Sequence, residues 1–313
     1  LAVISYTQAF LKRTLMYFNW DTGGWATVVK DSGYYLLNKV FSYSVLVMMA
    51  LAFWNDKVGM VFDLLKQSPT TFKGGGPWAI VEQVEPIFVG VGSSLVVLFF
   101  VIGFCSESVD VREDMRFEVI LRMLMRVGIA EWLVANNITI MKAFFLSAGN
   151  LVGLLTKNDA TKITISREQA DIIKDLGFGP SLIMLILSIV IALVIIICGF
   201  MLLYTVYFRF LKLLVVVPIG AIAFSTVSGN RTVSHTAVTY AKNFLSIVFE
   251  AVTIALAILM CNAFISAGLP SFTSEYADWT KVLIYLCELT FGTAMTVGMV
   301  KGAQNLTSKT LGL

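Results

Sequence analysis

Residues 180–208 read PSLIMLILSIVIALVIIICGFMLLYTVYF, and the first charged residue after them is Arg209. A helix needs about 20 apolar residues to cross the hydrocarbon core of a bilayer, and this stretch is longer than that. The stretch therefore predicts a transmembrane helix. It is followed directly by Arg209, Lys212 and Pro218. A helix that served only as a membrane anchor would not need these residues.

The composition of the whole chain agrees with a membrane protein. Hydrophobic residues make up 58% of the 313 residues, charged residues make up 14%, and the mean hydropathy is +0.83. Soluble domains carry about 25% charged residues. We therefore predict an all-α, polytopic membrane protein with about five to seven membrane segments. One of these segments is expected to be a re-entrant or proline-broken half-helix.

Several classes of protein are disfavoured by what the sequence lacks. The net charge of +3 is small and dispersed, so there is no basic stripe of the kind that binds nucleic-acid phosphates. The sequence has no phosphate-binding loop, no HExxH and no GxSxG motif, and it has a single histidine, His235. The four cysteines form no CxxC pair and are expected to be buried. We predict a protein that is not an enzyme and that uses no cofactor or metal.

The pattern of apolar and polar segments divides the chain into five regions. Within the second region, spans are expected at 35–54, 86–105 and 119–146, with a loop at 55–85 and Pro86 at the first helical position. The five regions are an interfacial segment at 1–34, N-terminal membrane segments with polar loops at 35–148, a solvent-exposed loop or lid at 149–179, a C-terminal bundle at 180–302 and a tail at 303–313.

The broken half-helix is predicted at 213–227. These 15 residues are interrupted by Pro218 and Gly220, and a helix of this length rises only about 22 Å, less than the roughly 30 Å of hydrocarbon. If the segment enters and leaves the membrane on the same side, Arg209 and Lys212 lie on the same side of the membrane as the later basic residues. The positive-inside rule then predicts a cytoplasmic C-terminus. The later basic residues are Arg231, Lys242, Lys301 and Lys309.

Polar residues inside apolar segments are the candidate functional residues. Glu250 and Glu288 lie about two turns inside the last two expected spans, where ionised groups are costly. They are expected either to line a water-filled or proton-linked path, or to join helices as neutral or ion-paired groups with Arg209, Lys212 or Lys281. A polar side is also expected on the 119–146 helix, from Arg122, Arg126 and Glu131.

Small residues indicate where helices approach each other closely. Gly90 and Gly92 lie in a small-residue stretch of the 86–105 span, and Gly298 and Gly302 form a GxxxG pattern. Both are expected to be helix-packing positions.

Two stretches of the sequence resemble a known family. The first is Val111-Arg-Glu-Asp-Met-Arg-Phe117, followed by Arg122, Arg126 and Asn136-Asn137-Ile-Thr-Ile. The second runs Phe208-Arg-Phe-Leu-Lys-Leu-Leu-Val-Val-Val-Pro-Ile-Gly220 and is followed by a polar loop and Tyr240-Ala-Lys-Asn-Phe244. Together they are similar to the TrbL/VirB-type polytopic inner-membrane subunit of conjugative type IV secretion systems, in the branch of Gram-positive conjugative elements. The resemblance covers about 32–302.

This resemblance implies a non-enzymatic channel or scaffold component in the cytoplasmic (inner) membrane. Its implied partners are the lipid bilayer, other secretion subunits and their ATPases, further copies of the chain and, in passage, a DNA-relaxase substrate. No DNA-contacting residue is carried over from the family. Two alternatives stay open. One is an ion-coupled solute transporter that uses Glu250 or Glu288, and the other is an accessory subunit of an ABC exporter that docks its ATPase on 106–118.

Overall fold

A computed structural model describes residues 43–110, 117–156, 178–266, 278–310 and 312. These residues contain helices and turns and no strand. The longer helices are α1 (Tyr43–Lys66), α2 (Gly76–Asp110), α3 (Phe117–Ala135), α4 (Asn137–Leu155), α5 (Phe178–Ser225), α6 (Arg231–Ser266) and α7 (Asp278–Thr310). Short 3-10 helices are formed by Phe72–Gly75 and Thr226–Ser228.

Among the described residues, five helices are long and apolar enough to cross a membrane. They are α2, α4, α5, α6 and α7, while α1 and α3 do not meet this criterion of length and composition. The prediction of an all-α, polytopic membrane protein is confirmed, and the number of candidate spans lies within the expected range. Two predictions concern residues outside the described part of the chain. They are the interfacial segment at 1–34 and residues 157–177, which make up most of the expected lid.

Two hydrophobic cores are stacked along one helical hairpin. The hairpin consists of α5 and α6, which run antiparallel, as shown by contacts of Arg209 with Ile247 and of Tyr240 with Val216. The first core joins α1, the first part of α5, the second part of α6 and α7. The second core joins α2, α3, α4, the last part of α5 and the first part of α6. The hairpin therefore holds both cores in one body.

Helix α5 is continuous through Pro218, so the predicted break within 213–227 is wrong. The helix runs for 48 residues to Ser225, and the chain reverses only at the following 3-10 turn. The missing N–H of Pro218 removes one bond, the one to the Leu214 carbonyl. Neighbouring helices donate side-chain hydrogen bonds to the carbonyls of Val216 and Val217, and these bonds hold the stretch of α5 beside the proline against α4 and α6.

The predicted loop at 55–85 is also wrong, because both flanking helices extend into it. Helix α1 continues to Lys66, since Val58, Val61, Phe62 and Leu65 recur at helical spacing and are buried. Helix α2 already begins at Gly76, so Pro86 lies inside the helix and not at its first position. Between the two helices the backbone turns through positive φ angles at Lys73, Gly74 and Gly75.

The expected single span at 119–146 is two helices, α3 and α4. They meet at Asn136, whose φ of −102° and ψ of 16° interrupt the helical path. Residues 149–155, predicted to belong to the lid, are instead the end of α4, which continues to Leu155, and a Cβ on Gly149 would lie 3.0 Å from the Lys66 carbonyl oxygen of α1.

The tail predicted at 303–313 is largely helical, because α7 continues to Thr310. Two hydroxyl pairs join this end of α7 to α6: Ser246 with Ser308 at 2.8 Å, and Thr253 with Thr307 at 2.9 Å. Hydroxyl hydrogen bonds of this kind hold helices together in lipid, where apolar contact alone gives little preference for protein.

Candidate functional site

A buried group of charges lies where the two cores meet. Arg209 of α5 is 3% exposed and Glu250 of α6 is 2% exposed. The Arg209 Nε donates a hydrogen bond of 3.3 Å to the Ile247 carbonyl, and Glu250 interacts electrostatically with both Lys212 and Arg209. We call Arg209, Lys212 and Glu250 the charged junction. It brings together three of the residues singled out in the sequence, from two helices.

The charged junction can hold α5 and α6 together, because opposite charges offset part of the cost of burying each one. Within the described residues, Arg209 Nη1 and Glu250 Oε2 have no hydrogen-bond partner. A water molecule could form a hydrogen bond with either atom, and a small ion could bind to either one. The arrangement places Glu250 near two basic side chains, as the interpretation of Glu250 as a helix-joining group requires, and it leaves one carboxylate oxygen for a further polar contact.

Three helices meet at a second polar point, which we call the three-helix junction: Asn137 of α4, Gly220 of α5 and Tyr240 of α6. Asn137 Nδ2 donates to the Val217 carbonyl at 2.9 Å, and the Tyr240 hydroxyl donates to the Val216 carbonyl at 2.8 Å. A Cβ on Gly220 would overlap Asn137 Oδ1 and would lie 2.7 Å from the Tyr240 oxygen. Gly220 is thus a close-packing residue within a continuous helix.

The sequence interpretation named Asn137 and Tyr240 in the family resemblance and predicted no contact for either of them. A signal was nevertheless present, because an asparagine inside an apolar helix is costly unless it faces protein. Asn137 is fully buried. Which helix would receive its hydrogen bond could not be read from the sequence, because Val217 is far away along the chain.

Helices α2 and α3 contact each other and the far end of the hairpin. Glu131 accepts a hydrogen bond of 2.8 Å from the Ser93 hydroxyl, and a Cβ on Gly92 would lie 2.9 Å from the Ala221 carbonyl oxygen. A Cβ on Gly90 would meet nothing within 4 Å. Of these two predicted packing glycines, the structure places Gly92 in a close contact and leaves Gly90 on the surface.

The remaining candidate residues are not part of either junction. Glu288 lies half-buried on α7, and roughly 30 Å of helix separates it from Ser308, which pairs with α6 one turn from Glu250. The two carboxylates are therefore not brought together. Arg122 is exposed and Arg126 half-buried on α3.

The GxxxG pattern of α7 makes no close contact with the described residues of the chain. A Cβ on Gly298 or Gly302 would meet nothing within 4 Å, so the packing predicted for this pair is wrong for the folded monomer. Both glycines lie along a side of α7 that none of the seven described helices approaches closely. The pattern alone could not indicate which side of the helix would be covered.

The cysteines and the acidic residues give no sign of a metal centre in the described ranges, where no group of three ligating side chains is found. Cys198 and Cys261 are buried as expected. Cys105 and Cys287 are exposed, so the prediction of burial is wrong for these two. Both lie on outward sides of helices in strongly apolar segments, where a small apolar residue can face lipid as well as protein.

Comparison with known proteins gives no further guide to function. No family model matches the chain, and neither a characterised protein nor a solved structure is significantly similar to it.

Proposed function

We propose that the chain is a non-enzymatic channel or scaffold subunit of a conjugative type IV secretion machine in the cytoplasmic membrane. The family resemblance is the reason for naming this machine. The structural observation that best supports a scaffold is the length of the α5–α6 hairpin. Helix α5 has 48 residues and rises about 72 Å, more than twice the hydrocarbon thickness of a bilayer. A body of this height can connect the membrane to components outside it.

The charged junction suits such a role. It lies at the level where one core ends and the next begins, and it links the two long helices that pass through both cores. Separating the helices would leave the buried charges of Arg209 and Glu250 without the opposite charge nearby, which is destabilising, so the junction favours the closed hairpin. A scaffold that transmits force or position between two compartments needs this rigidity.

The rival function is an ion-coupled transporter, and one observation favours it. Glu250 Oε2 is buried without a hydrogen-bond partner in the described residues, as a carboxylate waiting for a proton or cation would be. Against it stand the two neighbouring cations, Lys212 and Arg209, which would repel a second cation. We therefore rank the scaffold above the transporter.

The proposed function is tested by isolating the protein with its neighbours. A tag is placed at the C-terminus, the native membrane is solubilised gently, and the captured proteins are identified by mass spectrometry against an untagged strain. Recovery of conjugation ATPases and other channel subunits in defined stoichiometry is expected. Recovery of the protein by itself as a small stable oligomer would overturn the secretion assignment.

Glu250→Gln distinguishes the two functions directly. A scaffold is expected to lose some stability with the charge but to keep its captured partners and a substantial part of DNA transfer, because glutamine preserves the size and the hydrogen-bonding capacity of the side chain. A transporter would lose coupled uptake. Glu288→Gln is made in parallel, because the transporter hypothesis allows either carboxylate, and Glu118→Gln on the exposed side of α3 is the control.

A further inference from the structure

Two polar atoms of the charged junction are buried without a partner, and their chemistry is complementary. Arg209 and Glu250 are almost completely buried, and neither Arg209 Nη1 nor Glu250 Oε2 has a hydrogen-bond partner among the described residues. A guanidinium nitrogen can only donate a hydrogen bond, and a carboxylate oxygen can only accept one. Because an unpaired charged group inside a protein is especially costly, both atoms require a partner.

The two side chains lie near each other without bonding directly. Each one is affected by the charge of the other. The hydrogen bond of 3.3 Å from Arg209 Nε to the Ile247 carbonyl holds the guanidinium against the turn of α6 that leads to Glu250. Helices α5 and α6 therefore present a donor and an acceptor to each other, and a small molecule between them would contact both.

The charges around the two atoms select the kind of molecule that fits. An anion would be attracted by Arg209 but repelled by Glu250, and a cation would be repelled by Arg209 and Lys212, which both act on Glu250. Water is neutral, and one molecule accepts and donates hydrogen bonds at the same time. Buried water molecules typically make about two to four hydrogen bonds to polar groups that have no other partner. Water is therefore the ligand that suits both atoms.

Polar side chains connect this place to the surface of the protein. They lie on the side of α6 that faces the end of α7. The exposed Lys242 donates to the Gly312 carbonyl at 3.5 Å, and Ser246 pairs with Ser308 at 2.8 Å. Glu250 follows Ser246 by one turn on the same side of α6. These groups give water a polar route from the exposed end of the hairpin to the charged junction.

We propose that one ordered water molecule is bound between α5 and α6, where it accepts a hydrogen bond from Arg209 Nη1 and donates one to Glu250 Oε2. The charged junction is then a water-separated ion pair in which both buried charges have hydrogen bonds. Such water-mediated bonds are nearly as favourable in enthalpy as direct ones. The inference goes beyond the proposed function, because it depends only on these buried groups and holds for a scaffold and for a transporter.

A structure of the intact protein in lipid nanodiscs, at a resolution that shows ordered water, tests the site directly. A density peak is expected at hydrogen-bonding distance, about 2.5–3.2 Å, from both Arg209 Nη1 and Glu250 Oε2. A direct hydrogen bond between the two side chains, with no peak between them, would overturn the proposal.

Radiolytic labelling is a second test on the same nanodiscs. An X-ray pulse converts bound water into hydroxyl radicals, which oxidise the nearest side chains, and mass spectrometry measures the oxidation. Phe210 is fully buried, and the Arg209 guanidinium carbon lies 5.2 Å from the centre of its ring. The matched control is Phe62, which is also buried but lies among apolar side chains of the first core. Phe210 is expected to be oxidised several-fold more than Phe62.

Two variants connect this signal with the two polar atoms. Arg209→Met combined with Glu250→Met removes both hydrogen-bonding groups and both charges, and it is expected to lower the oxidation of Phe210 to the level of Phe62. Glu250→Gln keeps an acceptor oxygen and is expected to retain the oxidation of Phe210. The nanodisc structure and the comparison of Phe210 with Phe62 use the unaltered protein, so the test stands even where the double variant folds poorly.

Three further results would overturn the proposal. Oxidation of Phe210 no higher than that of Phe62 in the unaltered protein would show that no water is bound beside Arg209. Unchanged oxidation of Phe210 in the double variant would show that the water does not depend on the two charged side chains. An unfolding midpoint that rises with chloride, but not with gluconate at the same ionic strength, would show that the junction binds an anion instead of water.

Discussion

Gly220→Ala adds one methyl group at the three-helix junction, and the structure allows its cost to be worked out. The new Cβ would overlap Asn137 Oδ1, lie 2.7 Å from the Tyr240 oxygen and lie 3.1 Å from Met141 Cε. Overpacking of this kind costs about 1–3 kcal/mol of unfolding free energy. If the Asn137 and Tyr240 hydrogen bonds to α5 are also strained, each loses on the order of 0.6 kcal/mol. Alanine recovers about 1 kcal/mol of helix propensity.

The expected net result is a loss of about 1–3 kcal/mol of unfolding free energy for Gly220→Ala. The assay is reversible unfolding in mixed micelles, followed by circular dichroism during titration with a denaturing detergent. The matched control is Gly298→Ala, where the added Cβ meets nothing within 4 Å. That variant is expected to be unchanged or to gain up to about 1 kcal/mol.

A double-mutant cycle decides whether the stated contact is the cause. Tyr240→Phe removes the hydroxyl that the new methyl group would meet, so the cost of Gly220→Ala should fall in that background. The reasoning is refuted if Gly220→Ala is at least as stable as Gly298→Ala. It is also refuted if its cost is unchanged when both Tyr240→Phe and Asn137→Ala are present.

Three further substitutions have equally defined outcomes in the same unfolding assay. Gly92→Ala should destabilise by about 1–3 kcal/mol, because its Cβ meets the Ala221 backbone, while Gly90→Ala should be neutral or stabilising; equal values would contradict the α2–α5 contact. Glu250→Ala should lower the unfolding free energy by about 3–5 kcal/mol, because Arg209 would stay buried without the opposite charge nearby. Adding Arg209→Leu should recover much of that loss, and no recovery would argue against electrostatic coupling between the two residues. Gly75→Ala should cost about 1–2 kcal/mol, because its φ of +82° is unfavourable for a residue with a Cβ, and an unchanged midpoint would show that the turn can rearrange.

Parts of this fold followed from local sequence, and parts did not. The transmembrane character of 180–208 follows from its composition alone, because an uncharged helix of this length is stable only in lipid or within protein. Pro218 misled the sequence interpretation, because a proline breaks an isolated helix. Here, Asn137 and Tyr240 donate hydrogen bonds to carbonyls beside it, and these donors come from distant segments.

The glycines illustrate the same limit. Gly90 and Gly92 stand in one small-residue stretch and look equivalent, yet only Gly92 faces α5. Gly298 and Gly302 have the spacing of a packing motif, but no helix of the described chain approaches them. A motif shows that a close approach is sterically allowed, whereas the approach itself depends on where other helices lie.

What the sequence by itself determined is that this chain is a helical, multi-pass membrane protein with costly polar groups at Arg209 and Glu250. Hydropathy and helix length are sums over neighbouring residues, so they can be read locally. Only the tertiary structure decided that these two charges lie near each other, that Asn137 and Tyr240 bond to α5, and that two cores are stacked along a hairpin taller than a bilayer. Such contacts join residues far apart in the chain, and they are selected by the packing of all the helices together.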